Sequence, residues 1–180
     1  MTIRSKVLIL ILTLLSAGNC AYAQRLAIGS FQSFKGAGVS VENLSANGRD
    51  FYSFSLYSDL AGVYLGNKSE PGVKFNFSHN LRIVDFQPRS IDDLCLFAGP
   101  GFTAGWVSDS GREGYGFCGA LSGVFGSRAV FSCGVVFTLG MTLETGALIF
   151  NENGHVNSAL YRDGIYHTVL PHLTISYLFR

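Results

Sequence analysis

The sequence predicts an all-β fold, an antiparallel up-and-down transmembrane β-barrel of eight strands, on three observations. Several segments alternate apolar and polar residues over runs longer than an ordinary globular strand. The composition, with 22 glycines, 15 phenylalanines and 8 tyrosines in 180 residues, favours strands over a helical bundle. The polar face of the best segments is small and hydroxyl-rich rather than densely charged, which suits a narrow lumen better than a solvated surface.

The first residues are set apart from the fold. Arg4 and Lys6 open a basic stretch, Val7 to Leu15 is apolar except for Thr13, and Ala21-Tyr22-Ala23 offers the small residues that signal peptidase reads. Residues 1–23 are therefore expected to be a signal peptide, and residues 24–180 an outer-membrane β-barrel domain starting at Gln24. The apolar run is shorter than the roughly 20 residues of a spanning helix. Lipidation at Cys20 would want Gly or Ala where Asn19 stands.

Seven strands are legible along the mature chain. Lys35 to Leu44 runs through Ala37, Val39 and Val41 with Glu42 on the other face, and Tyr52 to Leu65 sets Tyr52, Phe54, Leu56, Leu60 and Tyr64 against Ser53, Ser55, Asp59 and Ala61. Val73 to Ile83 opposes Phe75, Phe77 and Leu81 to Lys74, Asn76, Ser78, Asn80 and Arg82. Leu94 to Val107 and Tyr115 to Gly126 repeat the pattern with glycine, Ala120, Ser122 and Thr103 on the small face. The longest alternation starts at Ala129, with Phe131, Cys133, Val135, Phe137, Leu139, Met141 and Leu143 on one parity and Ser132, Gly134, Val136, Thr138, Gly140, Thr142 and Glu144 on the other. The last segment places Ile165, Val169, Leu173, Ile175, Tyr177 and Phe179 opposite Thr168, His172, Thr174 and Ser176.

Single-chain membrane barrels of bacteria have even strand numbers, generally eight or more. The eighth strand is expected either in Leu26 to Gln32 or by a break of the Ala129 to Phe150 stretch near Thr145-Gly146. Turn signals at Asn47-Gly48, Gly66-Asn67, Asp109 to Gly111, Asn153-Gly154 and Asp163-Gly164 would reverse the chain between segments.

The direction of the apolar face decides between a soluble and a membrane barrel. With the apolar parity outward, Asp59, Lys74, Arg82 and Glu144 fall inside, where they would have to pair. A spanning chain must satisfy its backbone amides internally, and for strands that means closure. Tyr52, Tyr64, Trp106, Tyr115, Tyr166 and Tyr177 sit at segment ends, as interfacial girdles would.

Chemistry is sparse. Charged residues are 14% of the chain and the net charge is +1, which gives no field to gather nucleic acid. His79, His155 and His167 lack metal-ligand spacing, and the glycines at Gly36-Ala37-Gly38 and Gly99-Pro100-Gly101 lack the rest of a phosphate-binding motif. His172 shares a parity with Thr174 and Ser176, and Glu144 lies on the matching parity of a preceding segment, so a His-centred, lipid-A-modifying barrel enzyme is the first rival reading. A soluble periplasmic barrel holding an apolar ligand is the second. Cys95 and Cys118 share the inward parity and would form a disulfide if register brought their Cα atoms near 5.5 Å. No catalytic, cofactor or metal residue is assigned, and no cofactor is expected.

Ala21-Tyr22-Ala23 with Gln24, Pro71-Gly72-Val73-Lys74-Phe75-Asn76-Phe77-Ser78-His79-Asn80, Ala98-Gly99-Pro100-Gly101-Phe102-Thr103-Ala104-Gly105 and the end from Tyr161 to Phe179 resemble small outer-membrane β-barrel proteins of Bacteroides-like bacteria. The resemblance implies an outer-membrane location in a Gram-negative cell and a barrel, and it carries no catalytic residues. The C-terminal Leu173, Ile175, Tyr177 and Phe179 also look like the strand signal read by the outer-membrane assembly machinery, although Arg180 follows the final aromatic. The expected role is structural or a surface interaction without catalysis; the expected partners are outer-membrane lipid and that machinery.

Overall fold

A computed structural model describes residues 25–34, 36–45, 47–60, 71–107, 115–152, 154–163 and 170–179. Nine strand segments follow one another: β1 (Arg25–Ser33), β2 (Gly36–Leu44), β3 (Asp50–Asp59), β4 (Gly72–Phe86), β5 (Asp93–Val107), β6 (Gly116–Val130), β7 (Val135–Glu152), β8 (His155–Asp163) and β9 (Leu170–Phe179). Each of β1 to β7 pairs antiparallel with its neighbour in sequence, and β9 closes the sheet on β1.

Eight staves result because β8 and β9 share one. β8 pairs with Glu144 to Glu152 of β7, and β9 pairs with Val135 to Thr142 on that same strand, both antiparallel to it. The chain therefore keeps its direction between β8 and β9, and the turn signal at Asp163-Gly164 extends outside the described residues. The expected start of the last strand at Ile165 lies outside the described residues, as do the turn signals at Gly66-Asn67 and Asp109 to Gly111 and the first 24 residues.

The missing strand is the first of the two alternatives, since Leu26 to Gln32 lies within β1. The stretch from Ala129 breaks earlier than Thr145-Gly146. Phe131 to Gly134 form a tight turn in which Gly134 N–H donates to the Phe131 carbonyl at 2.9 Å and Gly134 takes φ 85°, a conformation glycine adopts without steric cost. Beyond it β7 runs unbroken through Thr145. Asn47-Gly48 does make the β2–β3 turn, with Gly48 at φ 67°.

Closure is staggered. Stepping across the ladder from Gly29 through Ser40, Ser55, Asn76, Thr103 and Ala120 arrives at Gly146 of β7, whereas the short way through Ser176 reaches Val136, ten residues away. With about 4.8 Å between strands and about 3.3 Å per residue, that stagger tilts the staves by about 40°, within the usual range for small barrels. One bulge interrupts the ladder, between Arg82 and Val84 of β4, leaving both Ile83 and Val84 exposed.

The apolar parity points outward on every long stave. Phe54, Leu56, Val73, Phe75, Phe102, Trp106, Phe117, Leu121, Phe125, Phe137, Leu139, Ile175 and Tyr177 are all exposed, whereas Ser40, Glu42, Lys74, Asn80, Thr103, Arg128, Thr138, Glu144 and Thr174 are buried. A water-soluble barrel would show the reverse sorting. Three small apolar clusters lie among the polar residues inside: Ala27, Val130, Val136 and Leu178 near the termini, Leu44, Phe51, Phe97 and Val124, and Val107, Cys118, Ala120, Leu148 and Tyr161 at the far end.

Candidate functional site

The polar lumen is the one region where chemistry-bearing side chains converge among the described residues. Alternation on staggered staves brings together residues far apart in sequence.

Toward the far end, Lys74 of β4 and Glu144 of β7 form an ion pair, Nζ to Oε2 2.9 Å, with both side chains almost fully buried. Thr103 donates its hydroxyl to Glu144 Oε1 at 2.9 Å, and Tyr161 donates its hydroxyl to Oε2 at 3.3 Å. Asp59 lies 4.0 Å from the ammonium, and the rings of Tyr57 and Tyr161 flank it at 5.9 and 5.2 Å. A buried charge is tolerated only with such compensation.

Toward the termini a second pair crosses the lumen. Arg128 of β6 donates Nε–H to Glu42 Oε2 of β2 at 2.8 Å, Thr138 donates to the other carboxylate oxygen at 2.8 Å, and the guanidinium lies 5.2 Å from the Phe51 ring centre. Arg82 makes a two-pronged contact with Asp93 and a further bond to Asp85, at the mouth of the barrel. The expected pairing inside the barrel is thus observed for Asp59, Lys74 and Glu144, whereas Arg82 pairs with Asp93 and Asp85 at the mouth. Arg128 had escaped the sequence reading, although carrying the parity of Ala120 and Ser122 on past Gly126 would have found it.

His172 lines the lumen as expected, but neither Glu144 nor Ser176 is its partner. Its Nδ1 is 3.4 Å from the Thr142 hydroxyl, and its ring stacks on Phe31, which stacks in turn on Tyr57. Glu144 is held by Lys74, Thr103 and Tyr161 rather than by the imidazole. Ser176 stands two same-face positions further down β9, about 13 Å away by strand rise. His172 fills space left by Gly140 opposite it, where a Cβ would fall 2.5 Å from Nε2.

Three other expectations resolve. Cys95 pairs in register with Arg128 and Cys118 with Gly105, ten positions along β5, so the two thiols are about 33 Å apart and no disulfide joins them. Cys133 lies exposed in the β6–β7 turn instead of on a strand face. His79 points outward, bonded to Asp50 at 2.8 Å and stacked on Tyr52.

The interior also argues against an apolar ligand. Its central cavity measures about 50 Å³, with hydroxyls, amides and carboxylates beside Phe31, Tyr57, Phe97 and Val124 in its wall, whereas pockets for organic ligands are typically ~300–1,000 Å³.

No protein-family model matches the chain, and no curated protein matches it. Among solved structures, the N-terminal β-barrel domain of Pseudomonas aeruginosa OprF is similar at 11% identity and TM-score 0.54, over 86% of this chain and 97% of that one. A major outer membrane protein from Thermus thermophilus has 12% identity and TM-score 0.49, over 88% and 100% of the two chains. Ail, the attachment invasion locus protein of Yersinia pestis, has 14% identity and TM-score 0.41, over 87% and 97%. At such identities the likeness to the OprF domain shows the fold alone, an antiparallel up-and-down β-barrel.

Proposed function

We propose that this chain is an integral outer-membrane protein of a Gram-negative bacterium, made as a precursor cleaved after Ala23, with a structural or surface-interaction role and no catalysis. The observation that carries this reading is the sidedness of the barrel. Exposed Phe, Leu, Ile, Val and Trp side chains cover the outside, while ion pairs and hydroxyls fill the inside. Lipid contact makes such an outer face favourable, and water would not. The resemblance to small outer-membrane barrels of Bacteroides-like bacteria supports the same location.

The interaction role rests on the end opposite the termini. The two longest connections, 60–71 and 108–115, leave that end, as extracellular loops do in such barrels. The β7–β8 hairpin also rises there beyond β1, whose last residue, Ser33, pairs with His172 of β9. Among the described residues β8 pairs with β7 alone, and from His155 to Tyr161 it carries no Lys, Arg, Asp, Glu or Pro. Such an edge is a template for another extended chain.

Cell fractionation followed by electrophoresis of boiled and unboiled membranes tests the location. Heat-modifiable protein in the outer membrane, with Gln24 at its N-terminus by Edman sequencing, is expected. A soluble protein with unchanged migration would overturn the reading.

A further inference from the structure

β8 (His155–Asp163) is the outer strand of the β7–β8 hairpin, and its height decides what can reach it. Ser158 is level with Ile149 of β7, nine residues beyond Gly140, which is level with His172 and through it with Ser33, the last residue of β1. Nine residues along a stave are about 30 Å, so at a tilt of about 40° Ser158 stands about 20 Å higher than Ser33. Counted along the other staves it stands about 10 Å higher than Trp106, an outward aromatic of the kind found at the membrane interface. The middle of β8 is therefore in water.

Its side chains are not those of a guarded edge. Val156 is 76% and Leu160 61% exposed on the outward face, at a height where lipid does not cover them. One edge of the strand is bonded to β7; the other meets no strand among the described residues, which leaves the backbone N–H and C=O groups of alternate residues without a ladder. Edges in water are ordinarily protected by Lys, Pro or a bulge, and His155 to Leu160 carry none of these. An extended chain laid along the edge satisfies the amides and covers the apolar side chains together.

Symmetry decides which chain. Two copies pairing these edges antiparallel are related by a two-fold axis normal to the sheet. The barrel wall stands across the membrane, so that axis lies near the membrane plane and turns the second barrel upside down. Parallel pairing puts the axis along the strands instead, and their tilt of about 40° would splay the two barrels too far to share a membrane. A second copy in the same membrane therefore does not fit the edge.

We propose that the free edge of β8, from His155 to Leu160, is a strand-addition site for an extended, uncharged segment of a water-borne polypeptide. The segment carries apolar residues at every second position, beside Val156 and Leu160, with small or hydrogen-bonding residues between them. This assignment rests on the outer-membrane orientation proposed for the barrel.

The test uses the whole mature barrel in detergent micelles and a blocked synthetic peptide, Thr-Val-Thr-Val-Thr-Val-Thr, with hydrogen exchange read residue by residue. Amides between His155 and Leu160 should exchange about tenfold more slowly with the peptide present, and a peptide with Pro at its centre should leave them unchanged. Val156→Lys should abolish the protection, and Leu160→Lys serves if that variant does not fold. No protection in the wild type, or equal protection in the lysine variant, would overturn the site. Protection that rises with barrel concentration in the absence of peptide would overturn the partner by making it a second copy. Heat-modifiable migration is read on the same samples, so a barrel that keeps it but ignores the peptide refutes the docking edge and leaves the membrane reading standing.

Discussion

The two ion pairs that cross the lumen differ in how fully each charge is answered. Glu144 receives Lys74, Thr103 and Tyr161, whereas Glu42 receives Arg128 and Thr138. On the cationic side each ion has a second carboxylate at 4.0 Å, Asp59 beside Lys74 and Asp93 beside Arg128, but Lys74 lies against two aromatic rings while Arg128 lies against one and keeps one nitrogen, Nη2, without a protein partner among the described residues. The difference teaches that a buried pair is to be weighed by the donors its carboxylate would retain after a loss, since an uncompensated buried charge dominates the cost.

The largest expected effect breaks the sparser pair. Arg128→Met leaves Glu42 with one hydroxyl donor, and Lys74→Met leaves Glu144 with two. Both should lower the stability of the folded barrel by about 3–5 kcal/mol, with Arg128→Met the more costly, read from urea unfolding in lipid vesicles. Equal losses would remove the distinction between the two ends. Replacing both partners, Lys74→Met with Glu144→Leu, should cost less than Lys74→Met alone, because no charge is then stranded; a strictly additive double variant would count against that explanation.

A smaller effect is expected at Gly140→Ala, where the new methyl group meets the His172 ring. A loss of about 1–3 kcal/mol follows from overpacking, and the ring proton resonances of His172 should shift in the same variant. The single hydroxyl deletions are of the same order. Thr138→Val and Tyr161→Phe each remove one hydrogen bond to a carboxylate, about 1.5–3 kcal/mol at most for a charged acceptor. The Thr138 change should be the larger, since its bond is shorter and Glu42 has fewer donors. The reverse order in unfolding midpoints would sink the donor-count argument.

Much of this was legible in the sequence because strand parity is a strict period of two. Lys74 opposite Phe75, or Thr138 beside Phe137, already separates inside from outside. Period two is blind to hairpins that preserve parity, however. Val130 and Val136 are register partners and both even-numbered, so the alternation of the residues around them runs straight through the Phe131–Gly134 turn and conceals it. Arg128 was lost at that junction. The bulge at Arg82 to Val84 and the shared stave of β8 and β9 depend on pairing between distant segments, which local patterning does not encode. Register likewise decided the cysteines: equal parity put Cys95 and Cys118 on the same face without bringing them near one another.

The central claim is that the apolar outside of the barrel faces lipid, and the single tryptophan of the chain reports on it directly. Trp106 is outward and 54% exposed, stacked on Tyr115. Refolded into vesicles of brominated phosphatidylcholine, the protein should show strong quenching of its tryptophan fluorescence and little response to aqueous iodide. Fluorescence untouched by brominated lipid yet quenched by iodide would place that face in water and contradict the account.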